Sequence, residues 1–290
     1  MSAALRCAGL GHRYGRRLWG LRDCNLDVPA GRVVALVGPN GSGKTTLMSM
    51  AAGLLPVTTG TVQAAGGAPA QRLDRIGFVA QDAPLWPRLR VADVLDIGRC
   101  MNRAFDTVMA ADRIRGLGIR PRARIGALSG GERAQVALTL VLAKKPELFL
   151  LDEPMANLDP LARREFLVSM FEACGQAGAT VLYSSHAVAE LERICDYLIV
   201  LRAGQVRLAG DIDELRQRHR VIRGPDGWPD GGGWQVISQR SMAGQTIALV
   251  RCGNHCVPGP GLQAGAPAFD ELVLGYLDGD AARLPEEVPA

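Results

Sequence analysis

The chain has 290 residues, 48% of them hydrophobic, which suits one large α/β domain with an appendage and excludes a disordered polymer. Its net charge of +4 is uneven, because residues 221–290 hold four Arg against eight Asp and Glu. Nowhere does it form a basic run, which argues against a nucleic-acid groove. No apolar run approaches the roughly 18 residues of a membrane span, and Met1 to Arg13 lacks the charged-then-apolar order of a secretory signal, so a soluble, unexported chain is expected.

In chain order, Leu5 to Leu10 and Arg22 to Val28 read as strands, with a turn-rich stretch around Gly11, Gly15 and Gly20 between them. Val33 to Val37 is a continuous apolar run ending in glycine, as a buried strand does. A helix follows from Lys44 to about Ala52, stopped by Gly53 and Pro56, and Ile76 to Ala80 is another short strand. From Val91 to about Leu117 the apolar spacing turns helical, which suggests an inserted helical subdomain. Gly130 to Lys144 reads as a helix, Leu148 to Leu151 as a buried strand, Leu161 to Cys174 as a helix and Thr180 to Tyr183 as a strand. Tyr197 to Leu201 and Gln205 to Leu208 flank the turn at Ala203-Gly204. Beyond Arg220 the chain has 12 Gly and seven Pro, the mark of a loop-rich appendage with few long elements. Within it, Trp234 to Ser238 and Thr246 to Arg251 alternate like strands, and Phe269 to Leu277 suits a closing helix. Seven scattered cysteines are expected to be reduced thiols, and Cys252, His255 and Cys256 are too few and too close for a zinc site.

Gly38-Pro39-Asn40-Gly41-Ser42-Gly43-Lys44-Thr45 matches the phosphate-binding pattern G-x-x-x-x-G-K-[ST], with a strand before it and a helix after it. Glycines let successive backbone N–H groups and the helix N-terminus turn toward an anion. Lys44 is one of only three lysines against 30 arginines, and a compact ammonium suits the space between two phosphates better than a planar guanidinium. The Thr45 hydroxyl is placed for Mg²⁺. Leu148 to Leu151 runs into Asp152-Glu153, a strand end whose first carboxylate can hold Mg²⁺ and whose second can accept the proton of an attacking water. Leu128-Ser129-Gly130-Gly131-Glu132 opens a helix. Its hydroxyl and free N–H groups make either a second anion site or an ordinary N-cap. Two phosphate-facing helix ends with one P-loop mean that they share a nucleotide across a dimer or that one is structural.

Taken in order, Tyr14, the P-loop, Gln81, Leu128 to Glu132, Asp152-Glu153, Asn157-Leu158-Asp159 and His186 resemble the nucleotide-binding subunit of ATP-binding-cassette transporters over about residues 5–220. The resemblance implies an α/β P-loop fold with an antiparallel β subdomain, a helical subdomain at about 82–145 and a small C-terminal accessory region at 221–290. It implies an ATPase using ATP and Mg²⁺. Tyr14 stacks on adenine, Gly38 to Lys44 with Thr45 and Thr46 hold the phosphates, and Thr45, Gln81 and Asp152 serve the metal. Glu153 is the base, with Lys44, Gln81 and His186 beside the γ-phosphate; by itself His186 also suits a helix N-cap. Ser129, Gly130 and Gly131 bind the nucleotide of an opposite subunit, and Asp159 links the two sites. The partners implied are transmembrane permease subunits on separate chains and a second nucleotide-binding subunit, identical or not, with no nucleic acid, at the cytoplasmic face of the membrane.

The signature continues Glu132-Arg133-Ala134-Gln135 where the family is often richer in Gln and Arg, and Arg90 stands where a threonine often caps the next helix. Segments Ser184 to Asp196, Gly204 to Asp211 and Phe269 to Leu274 resemble the branch that exports drugs, antibiotics or lipids. Pro84-Leu85-Trp86-Pro87 either offers apolar side chains to a helix of the membrane subunit or packs inward. The rival expectations are a soluble cassette ATPase acting on DNA or ribosomes, and a P-loop kinase.

Overall fold

The structure, a computed structural model, describes residues 3–82, 84–155, 158–185, 188–227, 233–252 and 259–279. Strands β1 (Ala3–Tyr14) and β2 (Leu18–Pro29) form a long antiparallel hairpin that turns at Gly15. Gly11 and Gly20, expected in a turn, lie inside these strands. Strand β3 (Val33–Val37) leads through the glycine loop into helix α1 (Lys44–Ala51). Strand β4 (Thr59–Ala64) then pairs with the other side of β1 to complete a three-stranded sheet in the order β2-β1-β4.

The central sheet takes β5 (Ile76–Val79), β6 (Leu148–Asp152), β7 (Thr180–Ser184), β8 (Tyr197–Arg202) and β9 (Gln205–Asp211). Its order is β5-β6-β7-β3-β8-β9, parallel except for β9 against β8. β6 and β7 are buried along their whole length, as apolar runs covered on both faces must be. β3 sits at the centre, so the loop after it and the carboxyl ends of β5, β6 and β7 open on one edge. In open parallel sheets that edge is where ligands bind.

The helical stretch expected at 91–117 is two helices, α2 (Val91–Met101) and α3 (Thr107–Gly116). The break falls where Asp106 turns its carboxylate back to accept the Met109 N–H at 2.9 Å, an N-cap that restarts the helix. Helix α4 (Gly130–Ala143) closes a small core with them through Val91, Ile114, Ile125 and Val136. Helix α5 (Pro160–Ala177) and the short α6 (Val188–Leu191) cover the central sheet.

After residue 220 the strands and helix expected at 234–238, 246–251 and 269–277 are present, and among the described residues the strands join a sheet rather than a loop-rich appendage. After α7 (Ile212–Arg218), strands β10 (His219–Pro225), β11 (Trp234–Met242), β12 (Gln245–Cys252) and β13 (Gln263–Gly265) pair antiparallel in the order β11-β12-β10-β13. Gly227 and Gly244, both with positive φ, stand in turns at strand ends. Helix α8 (Phe269–Asp278) buries Phe269, Leu272, Val273 and Tyr276 in the same core as Leu198 and Val200 of β8. Cys252, expected as a reduced thiol, is disulfide-bonded. Cys7, Cys24, Cys100 and Cys195 are free, while His255 and Cys256 lie outside the described residues. Among the described residues no helix is long and apolar enough to cross a membrane.

Candidate functional site

The glycine loop is built for contact without side chains. Gly43, at φ 106°, is left-handed, and a Cβ there would stand 2.5 Å from the Gly20 carbonyl. Only glycine meets both demands. A Cβ on Gly38 would collide with the Leu201 carbonyl. Lys44 lies buried, its Nζ donating to the carbonyl oxygens of Gly38 at 2.7 Å and Pro39 at 3.3 Å. Burial lowers its pKa, and the charges of Glu153 and Asp152 partly restore it. The Ser42 hydroxyl is buried with no hydrogen-bond partner among the described residues. An orphaned hydroxyl, an inward ammonium and bare backbone together make a donor set that a triphosphate would satisfy.

Across the cleft, β6 delivers Asp152, buried, and Glu153, which leaves the strand at φ 46°. That left-handed turn brings the Glu153 carboxylate to 3.8 Å from Lys44 Nζ. The Ser184 hydroxyl of β7 donates to Asp152 Oδ1 at 2.8 Å and accepts the Glu153 N–H at 2.9 Å. Thr45, Gln81 and Asp152 offer oxygens, the donor type of a hard cation. Among the described residues no group of three or more His, Cys, Asp or Glu could hold a metal, so phosphate and water oxygens would complete the shell.

Tyr14, at the end of β1, is half exposed, with its hydroxyl 3.1 Å from the Thr46 Oγ1 and its ring edge-on to His12. Gly20 must lack a side chain here, since a Cβ would stand 2.7 Å from the Tyr14 ring. Tyr14, residues 40–46, Gln81 and Glu153 line one cleft of about 300 Å³. Leu18, Trp19 and Gly20 line it too, and the sequence reading missed them because it placed the region in a turn. Gly38 and Pro39, at the start of the loop, do not line the cleft but accept from Lys44 Nζ through their carbonyls.

Ser129, Gly130, Gly131 and Asp159 do not line this cleft. Ser129 caps α4, its hydroxyl accepting the Glu132 N–H at 3.2 Å while the Glu132 carboxylate accepts the Ser129 N–H at 2.8 Å. Asp159 caps α5 by accepting the Ala162 N–H at 3.0 Å. Both are exposed. His186 and Asn157 lie outside the described residues. Arg90, without a capping side chain, is compensated by Asp93, which accepts the Arg90 N–H at 2.8 Å. Of the 84–87 segment, Trp86 points out, 61% exposed, and Leu85 packs inward. Trp86, Leu54, Leu73 and Met101 rim a second, apolar groove of about 320 Å³ between α1, β5 and α2, with Lys144 in its wall.

A family model described as ABC transporter matches residues 21–156, and a second, described as an AAA domain, putative AbiEii toxin of a type IV toxin–antitoxin system, matches residues 128–192. The aliphatic sulfonates import ATP-binding protein SsuB 2 of Xanthomonas axonopodis pv. citri is 38% identical over 213 residues, 72% of this chain and 72% of that one. This chain is an ATP-binding subunit of the ABC transporter family. The molybdenum import ATP-binding protein ModC of Mesorhizobium japonicum is 34% identical over 82% of this chain and 68% of its own length. The Fe(3+) ions import ATP-binding protein FbpC of Streptomyces coelicolor is 37% identical over 71% of this chain and 61% of its own. Among solved structures, an ATP binding subunit of an ABC transporter aligns with a TM-score of 0.67 at 27% identity, covering 74% of this chain and 92% of that one. The cbiO1 protein of Clostridium perfringens, part of the ABC transporter complex cbiONQ, aligns at 0.63 and 26%, over 74% and 91%. As an ABC ATPase, the chain binds ATP and couples its hydrolysis to transport. SsuB 2, ModC and FbpC are named as importers, not as members of the export branch expected from segments 184–196, 204–211 and 269–274.

Proposed function

We propose that the cleft holds ATP with Mg²⁺ and that hydrolysis there drives separate transmembrane subunits. The observation that carries this reading is the convergence of Tyr14, the P-loop, Gln81 and Glu153 on one cleft at the carboxyl edge of the central sheet. Tyr14 presents its ring to the adenine, the loop amides and Lys44 take the phosphates, and Mg²⁺, held by Thr45, Gln81 and Asp152, supplies charge neutralisation when bound. Glu153, aimed inward by its left-handed backbone, accepts a proton from water. His186 is assigned to the γ-phosphate from the sequence alone.

Ser129 and Asp159 are exposed and, like Gly130 and Gly131, do not line this cleft. They complete the site of a second subunit, so ATP binding favours a closed head-to-tail pair and hydrolysis reopens it. The apolar groove rimmed by Trp86 receives the membrane subunit, which places the chain on the cytoplasmic face of the membrane. Residues 221–290 act as an accessory region. For direction, the segments at 184–196, 204–211 and 269–274 support export of a drug, antibiotic or lipid. Import is the second reading, favoured by the printed names of the relatives.

The test is Glu153→Gln in the purified chain. It is expected to bind ATP with unchanged affinity, to slow turnover by about 100-fold or more, and to double in mass with ATP. Near-normal turnover would remove Glu153 as the base, and a monomer at saturating ATP would remove the shared site. ATP-driven cargo movement in vesicles reconstituted with the membrane subunits reads the direction.

A further inference from the structure

We infer that Ser184 is a positioning residue that sets the two strand-end carboxylates of the ATPase site. The inference rests on the assignment of Glu153 as base and Asp152 as metal holder. Parallel pairing puts Ser184 opposite Asp152 in the register of β7 and β6, at full burial. A hydroxyl has one proton to give and lone pairs to receive. The proton of Ser184 goes to Asp152 Oδ1 at 2.8 Å, and its oxygen accepts the Glu153 N–H at 2.9 Å.

One side chain therefore holds both carboxylates, by different means. It fixes Asp152 directly, tying up one oxygen and leaving the other for the metal's shell. It fixes Glu153 through the backbone, because the amide it receives belongs to a residue at φ 46°. A left-handed backbone at a non-glycine residue persists only where its surroundings over-determine it. The same turn points the Glu153 carboxylate at Lys44, 3.8 Å away. Without the hydroxyl, the Glu153 N–H and one oxygen of Asp152 lose the partners that hold them, and Glu153 can relax out of that turn.

The test compares Ser184→Ala and Ser184→Cys with Glu153→Gln in the full chain. Cysteine fills nearly the same space but hydrogen-bonds weakly. Both serine variants are expected to lose about 10- to 100-fold in kcat, since small misplacements of a reacting group cost that much. Their affinity for a fluorescent ATP analogue in EDTA should stay within about twofold, while their affinity for Mn²⁺ with nucleotide, read by electron paramagnetic resonance, should weaken. A cysteine variant with wild-type kcat would show that Ser184 only fills space, and equal loss of metal-free ATP binding would show that it only holds the fold. Either result overturns the inference. If Glu153→Gln itself turns over normally, the assignment of the base fails instead, and the two failures are told apart.

Discussion

Lys44 shows how far residue type alone reaches. In a chain with 30 arginines and three lysines, the cation inside the glycine loop is a lysine, and it sits buried among carbonyl oxygens at 2.7 and 3.3 Å. A guanidinium would carry the same charge but spreads it over a planar fork instead of a compact point. Lys44→Arg is therefore expected to weaken ATP binding at least about tenfold, measured by equilibrium titration in EDTA. Unchanged affinity would mean that charge alone matters at this position. The P-loop and the Asp152-Glu153 pair were legible because each stands at a strand end, one marked by glycines and the other by paired acids. Ser184 was not, since its link to Asp152 spans 32 positions and exists only through the register of two parallel strands. Gly20 and Trp19 were missed for a related reason, as their contact with the cleft depends on the hairpin curling over α1.

Among the elements, the buried strands and long helices follow the apolar runs closely, whereas exposed elements carry a weaker signal. β4 escaped notice because most of its side chains face solvent and alternate little. The loop after β3 makes the sharpest demand on one residue. Gly43→Ala places a Cβ 2.5 Å from the Gly20 carbonyl in a left-handed backbone, so the hairpin and the loop must part. It is expected to lower Tm by several degrees and abolish ATP binding, by calorimetry and titration; a variant that melts and binds like wild type would contradict this packing. Charge gives a second case. The sequence shows no basic run, yet Arg90 and Arg124 face each other across an isolated antiparallel bridge, with the Val91 N–H on the Ala123 carbonyl and the Ile125 N–H on the Leu89 carbonyl. Like charges directly opposed cost stability. Arg124→Glu converts them to an opposite pair and should stabilise the chain by about 0.5 kcal/mol, read as a higher urea midpoint; a lower midpoint would show that the pair is not opposed in solution.

At the scale of the whole molecule the question is whether residues beyond 220 form a separate unit, as composition suggests. The packing argues for one cooperative body. α8 lies against β8, its Phe269, Leu272 and Val273 are fully buried in the core that holds Leu198 and Val200, and Arg202 of β8 donates to the Gly279 carbonyl at 2.5 Å. His219 bonds the Leu215 carbonyl and the Tyr276 hydroxyl at 2.7 and 2.8 Å, tying α7, β10 and α8 together. β8 is also the strand that backs the glycine loop, where the Leu201 carbonyl leaves no room for a Cβ on Gly38. The C-terminal helix is thus one strand away from the phosphate site. Deleting one buried Leu or Phe side chain costs about 2–5 kcal/mol, so losing Phe269 and Leu272 together with Val273 and Tyr276 removes an amount comparable to the roughly 5–15 kcal/mol that stabilises a domain. Ending the chain after Arg218 is therefore expected to give insoluble protein. Leu272→Ala, a smaller cut, should lower the Tm of a single calorimetric transition in the full chain. A soluble 1–218 fragment that melts like the full chain, or two separate transitions in the intact protein, would make the C-terminal sheet an independent module with no hold on the ATP site.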